Sequence, residues 1–298
     1  MGAGAAGREA PRMILVTGAG GKTGRVLIPA LSTLESVSAL VHRPEQISVA
    51  HSAGAQKVFV GDMTDPSAVH AAMQGARAVY HICANMSADE VIIGSVVIRE
   101  ASSSGIEHFV YHSVLHPQTQ KMDHHRQKLL VEEMLIDTPL RYTILQPAPY
   151  MQNWLNIWNS IVDEGILRLP YSSETRFSFV DLEDVAEVAK VVLSEPDHAG
   201  AIYELSGTPA LSHTEVAQIF SRGLNRPVRV EREETGAWRA RNSDLSERLA
   251  RSLIEMFAYY DRYGLSGNSN VLKWILKRDP TSLDAFIERI TGLRRAVH

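Results

Sequence analysis

Three glycines in the spacing Gly18-x-x-Gly21-x-x-Gly24 follow directly on the apolar run Met13-Ile14-Leu15-Val16. Glycines at such a turn let backbone N–H groups approach a phosphate closely, because no Cβ stands in the way. The next segment, Thr23 to Leu34, is apolar at Val26, Leu27, Ala30, Leu31 and Leu34, which is helical spacing. Strand, glycine turn and helix N-terminus in that order make an anion site, since unpaired N–H groups and the positive end of the helix dipole face the loop. Gly21-Lys22-Thr23 also resembles the end of a nucleoside-triphosphate loop, but that loop needs a glycine five residues earlier, and position 16 is Val. The spacing therefore predicts a dinucleotide-binding turn made of Gly18, Gly20, Gly21, Lys22, Thr23 and Gly24.

Such a turn needs a parallel sheet behind it, and the following segments supply one. Val37 to Val41 reads as a second buried strand closing in His42-Arg43-Pro44. A carboxylate at this strand end accepts from the ribose 2′-OH of NAD, whereas an arginine accommodates the 2′-phosphate of NADP. No Asp or Glu lies between residues 36 and 44, so Arg43, beside His42, is either the 2′-phosphate partner or a solvated loop arginine. Lys57 to Val60 leads into Gly61-Asp62-Met63-Thr64-Asp65. Asp62 and Met63 are placed for the adenine, while Asp65 before Pro66 reads as a helix cap. Ala78 to Ala84 is a fourth strand whose end, Cys83-Ala84-Asn85, is expected beside the ligand, because ligands of open α/β sheets bind past the carboxyl ends of the strands. Cys83 itself reads as a small buried hydrophobe. A helix over 88–104 and a strand from His108 to Ser113 continue the alternation.

Histidines at 108, 112 and 116 recur every four residues, a ligand ladder if helical. Phe109-Val110-Tyr111 is strand-like and Pro117 follows His116, so the three do not share a face and no metal site is expected. The 298 residues, 45% hydrophobic and 21% charged, fit one large soluble domain or two unequal ones. A net charge of −4 leaves no footprint for nucleic acid or an anionic membrane. The single cysteine excludes an intrachain disulfide and fits a reducing, cytoplasmic setting. No apolar run has the length of a transmembrane helix. Residues 1–12 lack the apolar core of a signal peptide and are expected to be a disordered extension.

After the segment 123–135, helical by its spacing, come a strand from Arg141 to Leu145 and the turn Gln146-Pro147-Ala148-Pro149. With these the chain resembles the NmrA-like family of atypical short-chain dehydrogenase/reductases. The resemblance rests on GAGGKTG at 18–24, Arg43, GDMTD at 61–65, His124-x-x-x-Lys128 followed by VEEML, and QPAPYMQN at 146–153. It extends from about residue 13 to the segment DPTSLDAFI at 279–287. It implies an NADP(H)-binding chain, with Lys128 on the ribose and Pro147 beside the cofactor. The wider superfamily has Tyr-x-x-x-Lys where this chain has His124-x-x-x-Lys128, and Ser113 stands at the position of its serine. His124 is then either a proton donor, its ordinary pKa lying near neutrality, or a partly buried helix residue in a site that only binds.

Tyr150, Asn153 and Trp154 follow the sheet and are candidates to line an acceptor pocket, although the spacing of Tyr150, Trp154 and Trp158 equally fits core packing. A strand over 177–181, a capped helix from Asp184, a strand from Ala201 to Leu205, and helices over 213–223, 244–264 and 282–290 complete the reading. The expected fold is α/β, a doubly wound parallel Rossmann sheet with a smaller, mainly helical domain. Residues 13–150 with about 175–206 form the NADP(H)-binding part, and about 151–174 with 207–298 the closing part. Two functions are open. One is an NADPH-dependent oxidoreductase passing hydride to a quinone-like or aromatic acceptor. The other is a non-catalytic NADP(H)-binding redox sensor acting through a protein partner. The oligomeric state is open.

Overall fold

Apolar strands alternating with amphipathic helices wind the first half of the chain into repeated β–α units in this computed structural model, which describes residues 12–295. The extension expected over residues 1–12 thus lies outside the described residues except for Arg12. In order, the units are β1 (Met13–Thr17), α1 (Lys22–Leu31), β2 (Ser36–Val41), α2 (Ile47–Ser52), β3 (Lys57–Val60), α3 (Pro66–Met73), β4 (Ala78–His81), α4 (Glu90–Ser103), β5 (His108–His112), α5 (Asp123–Ile136) and β6 (Tyr142–Pro147). The second half holds β7 (Ile166–Leu169), β8 (Arg176–Phe177), α6 (Leu182–Ser194), β9 (Ala201–Leu205), β10 (Leu211–Ser212), α7 (His213–Leu224), β11 (Arg229–Arg232), α8 (Thr235–Arg241), α9 (Glu247–Tyr263), α10 (Asn270–Leu276) and α11 (Leu283–Arg295).

Seven strands pair in parallel in the order β3-β2-β1-β4-β5-β6-β9. Helical crossovers cover both faces, which is why all of β1, β4 and β5 is buried, each with an apolar run at its heart and polar residues only at its ends. Alternation decides the face. Ile14, Val16, Tyr80, Val110 and Leu145 join the core under α1 and α6, whereas Leu15, Val79, Phe109, Tyr111 and Ile144 join the core under α3, α4 and α5. The strand order reverses between β1 and β4, and that reversal opens a crevice past their carboxyl ends.

The rest of the chain is mainly helical, as its sequence pattern predicts. Two strand pairs are woven into it: parallel β7–β11 and antiparallel β8–β10. Of the strand expected over 177–181, only Phe177 lies in β8; Val180 bridges instead to Tyr150, and Phe177 also bridges to Leu265. The helix expected over 244–264 starts at Glu247, where the Ser246 side chain accepts from the Leu249 N–H at 3.3 Å. The short helices α8 and α10 were not expected. Trp154 lies on a 3₁₀ turn, Met151–Ile157, and not on an α-helix.

Candidate functional site

A cleft of about 1380 Å³ occupies the crevice between β1 and β4 and runs on to α8 and α9. The glycine turn forms one wall. Gly18 has φ +59°, and a side chain there would run into the Ile82 carbonyl. At Gly21 an added Cβ would meet only the Gly18 carbonyl oxygen, at 3.4 Å, so this position is open to the cleft. Helix α1 starts at Gly21 with no side chain capping it and no acidic residue in its first turn. Its first N–H groups and its dipole therefore remain available to an anion, the fit a pyrophosphate requires. Lys22 reaches over the turn and donates to Asn153 Oδ1 at 3.1 Å.

At the other side of the turn, Gln46 Oε1 accepts from the His42 and Arg43 backbone N–H groups at 3.1 and 3.0 Å. Its amide packs against Gly20, where any side chain would collide with it. Gln46 thus joins the β2 end, with Arg43, to the glycine turn. Asp62 lines the cleft too, one carboxylate oxygen accepting from the Thr64 N–H at 2.8 Å and from its hydroxyl at 2.9 Å. Those bonds hold its pKa below the ordinary carboxylate value. Asp65 caps α3 by accepting from Ser67 N–H at 2.9 Å.

Beyond the glycine turn a buried polar network underlies the cleft floor. Lys128 lies 2.9 Å from Glu90, donates to the His112 carbonyl at 3.1 Å, and sits over the Tyr111 ring. Glu90 also accepts from the Tyr111 hydroxyl at 2.8 Å. Burial alone would push the Glu90 carboxyl up; the Lys128 charge and hydrogen bond outweigh it and leave the carboxyl below its ordinary value. His81 stacks on Tyr111 and shares a 2.7 Å hydrogen bond with Thr17. Ser113 donates to buried Glu132, which also accepts from the Gln146 amide at 3.0 Å, and burial raises the Glu132 pKa. His112 stands between two phenols, Tyr80 at 2.8 Å on Nδ1 and Tyr150 at 2.5 Å on Nε2.

His124 lines the same cleft, edge-on to His125, with a buried Nδ1 that has no partner among the described residues. Burial first, then the neighbouring His125 and Lys128, hold its pKa at about 3. The imidazole is therefore neutral near pH 7, and a charged acid at this position is not available. Cys83 is buried on the cleft wall, and burial pushes its thiol up to about 12. The far end is aromatic, with Tyr171, Phe177, Phe179, Trp238, Phe257 and Tyr260 on its surface. Trp154 lines the cleft while also packing on Phe179, His213 and Phe220; Trp158 packs on Phe220.

The cleft brings together Gly18, Gly20, Gly21, Lys22, Thr23, His42, Arg43, Asp62, Met63, Cys83, Ala84, Asn85, Ser113, His124, Lys128, Pro147, Tyr150, Asn153 and Trp154. Gly24 departs from this set. It is buried in α1, and an added Cβ would come within 2.6 Å of the Ala19 Cα, so it serves close packing of helix against turn. The residues that sequence reasoning missed are Gln46, Glu90, Tyr111 and His112. Glu90 opens the apolar stretch Val91-Ile92-Ile93 and reads locally as an ordinary carboxylate at a helix start. Among the described residues no group of three or more His, Cys, Asp or Glu is placed to hold a metal, and no helix is long and apolar enough to cross a membrane.

A model of the NmrA-like family matches residues 11–289. Quinone oxidoreductase 2 of Escherichia coli (strain K12) is 26% identical over 275 residues, covering 91% of this chain and 96% of that protein. A (4-alkanoyl-5-oxo-2,5-dihydrofuran-3-yl)methyl phosphate reductase of Streptomyces griseus is 31% identical, over 74% of this chain and 76% of its own. The crystal structure of an NADPH-dependent quinone oxidoreductase from Escherichia coli, complexed with NADPH, has the same fold, with a TM-score of 0.81, 24% identity, and coverage of 94% of this chain and 100% of that one. With the reversal of strand order, the uncapped glycine turn and a family match over nearly its whole length, the chain belongs to the NmrA-like family.

Proposed function

We propose that this chain is an NADPH-dependent reductase of quinone-like or other planar aromatic acceptors. The observation that carries this reading is the continuity of one cleft, from the glycine turn and Arg43 to the aromatic surface around Phe177, Trp238 and Phe257. The turn and the N-terminus of α1 hold the pyrophosphate, Arg43 takes the 2′-phosphate, and Lys128 faces the ribose from the cleft floor. The bound cofactor supplies hydride. The aromatic end orients a flat acceptor by stacking and keeps water from it. Residues 13–150 with about 175–206 form the cofactor half, and the stretches of about 151–174 and from 207 on, together with Phe177 and Phe179, shape the acceptor end. The quinone oxidoreductase relatives support the reading.

A second reading, a cofactor-binding sensor without turnover, is favoured by one observation: the position of the superfamily's catalytic tyrosine holds a histidine that burial keeps neutral. Steady-state NADPH oxidation against a panel of quinones and aromatic dyes separates the two. The reductase reading expects turnover that saturates with acceptor. No oxidation with any acceptor, together with an NADPH-dependent change in oligomeric state or partner capture, establishes the sensor reading in its place.

A further inference from the structure

We infer that Tyr150 is the proton donor of this site, its hydroxyl proton turned into the cleft by His112, and that it sets which acceptors are reduced. The inference rests on the reductase reading and extends it to the acid and to the acceptor chemistry.

His112 is buried, and its ring is flanked on both nitrogens: Tyr80 hydroxyl at Nδ1, 2.8 Å, and Tyr150 hydroxyl at Nε2, 2.5 Å. Burial holds the ring neutral, with a pKa of about 3, so it carries one N–H and one lone pair to share between two phenols. The two phenols are not equivalent. Tyr80 is wholly buried, and His112 is the hydrogen-bond partner of its hydroxyl among the described residues. Unless Tyr80 donates to Nδ1, its proton is buried without an acceptor, an arrangement that native interiors avoid. Nδ1 is therefore the acceptor, and Nε2 carries the proton and donates it to the Tyr150 oxygen. With the Nε2–H donor of His112 on its oxygen, Tyr150 keeps its own proton free for the cleft it lines.

Burial raises the Tyr150 pKa to about 12. So weak an acid transfers its proton only to a base stronger than a phenolate. A quinone that has taken up hydride is itself an aryloxide, close in basicity to ordinary tyrosinate, so it gains nothing from so weak an acid and picks up its proton from the buffered solution once released. An α,β-unsaturated ketone behaves differently. Hydride from the reduced nicotinamide forms a C–H bond at the β carbon, and the C=C electrons shift to leave an enolate. The Tyr150 O–H bond breaks and its proton passes to the α carbon, whose C–H in the product ketone is a far weaker acid than any phenol. The enolate electrons form that C–H bond and the C=O is restored, while the tyrosinate, held by the Nε2–H of His112, regains a proton from water and the saturated ketone leaves.

Two measurements test this. In ¹⁵N-histidine spectra of the full chain at pH 7, His112 is expected as the Nε2–H tautomer, assigned by its loss in His112→Gln, and Tyr80→Phe is expected to erode that single tautomer. In NADPH-dependent turnover, Tyr150→Phe is expected to lower the rate with an unsaturated ketone relative to the rate with a quinone by about 10²-fold. A Nδ1–H tautomer in the wild type, or a rate ratio that Tyr150→Phe leaves within threefold, overturns the inference while leaving the reductase reading intact. So does a wild type that reduces the quinone and never the ketone. A wild type that reduces neither acceptor overturns both.

Discussion

Lys128 and Glu90 form a largely buried 2.9 Å ion pair, the lysine side chain 12% exposed and the glutamate 4%. The pair joins the start of α4 to the middle of α5 under the cleft floor, and Tyr111 donates to the same carboxylate. Removing one partner of a buried pair strands the other. Lys128→Met should therefore destabilise the fold by about 3–5 kcal/mol, beyond any loss of cofactor binding. Adding Glu90→Gln to Lys128→Met should recover most of that loss. Urea denaturation of the single and double variants without cofactor checks it, and a Lys128→Met cost below about 1 kcal/mol would show that water reaches Glu90.

Buried histidines make the chain sensitive to acid. Burial holds His81, His112, His124 and His213 at about 3, and His108 and His125 at about 4. In the unfolded chain each titrates near 6.5, so below that pH the unfolded state binds more protons and stability falls as pH falls. The effect is absent above the unfolded value and grows down to the folded values. Between pH 6.5 and 5.5 it costs about 1 kcal/mol per histidine, about 6 kcal/mol for the set, comparable with a typical total stability. Circular dichroism against pH should show cooperative unfolding near pH 5, and a fold intact at pH 4 would mean that these rings are hydrated.

Gly21 and Gly24 lie three residues apart and should fail differently. A side chain at Gly21 points into open space, so Gly21→Val should keep the melting temperature close to wild type and lose NADPH binding. A side chain at Gly24 meets the Ala19 backbone, so Gly24→Val should cost about 1–3 kcal/mol of stability through overpacking. Thermal melts with and without NADPH distinguish the two, and a Gly21→Val protein still stabilised by NADPH would place the phosphate elsewhere.

Arg43 should set cofactor choice. Charge-assisted hydrogen bonds to a 2′-phosphate contribute roughly 1.5–3 kcal/mol each, so Arg43→Ala should reduce NADPH affinity at least about tenfold and leave NADH affinity little changed. Gln46→Ala should cost less, because it removes the clamp on the Arg43 backbone and not the charge. Calorimetric titration of both cofactors decides it. Equal affinity of the wild type for NADPH and NADH would return Arg43 to the role of a solvated loop residue.

The strands and the glycine turn were legible in the sequence because a strand buried on both faces carries a short, nearly continuous apolar run, and a turn against a strand end restricts its side chains. What escaped detection depends on pairing over long separations. Glu90 looks like a solvated helix start until β5 and α5 bring Tyr111 and Lys128 to it. His112, one rung of a rejected metal ladder, acquires meaning only when β4 and the turn after β6 place a phenol on each nitrogen. The four-residue strand β7 pairs with β11 more than fifty residues further along the chain, too short and too distant for local pattern to reveal.

The strip from Arg176 to Val180 has neighbours on both sides. Ser178 N–H donates to the Leu265 carbonyl in the second half of the chain, and Val180 N–H to the Pro149 carbonyl just past β6, each at 3.0 Å. Phe179 also receives Thr208 and Gly207 on its own carbonyl. This stitching limits modularity. The aromatic end of the cleft is not a cassette that can be exchanged at two cut points, since its walls come from the stretches around 150–179 and 233–265, interleaved with sheet segments. On the reductase reading, a chimera that borrows a relative's acceptor specificity has to transplant these stretches together, and point substitution at positions such as Trp238 or Met256 is the shorter route to a new acceptor range.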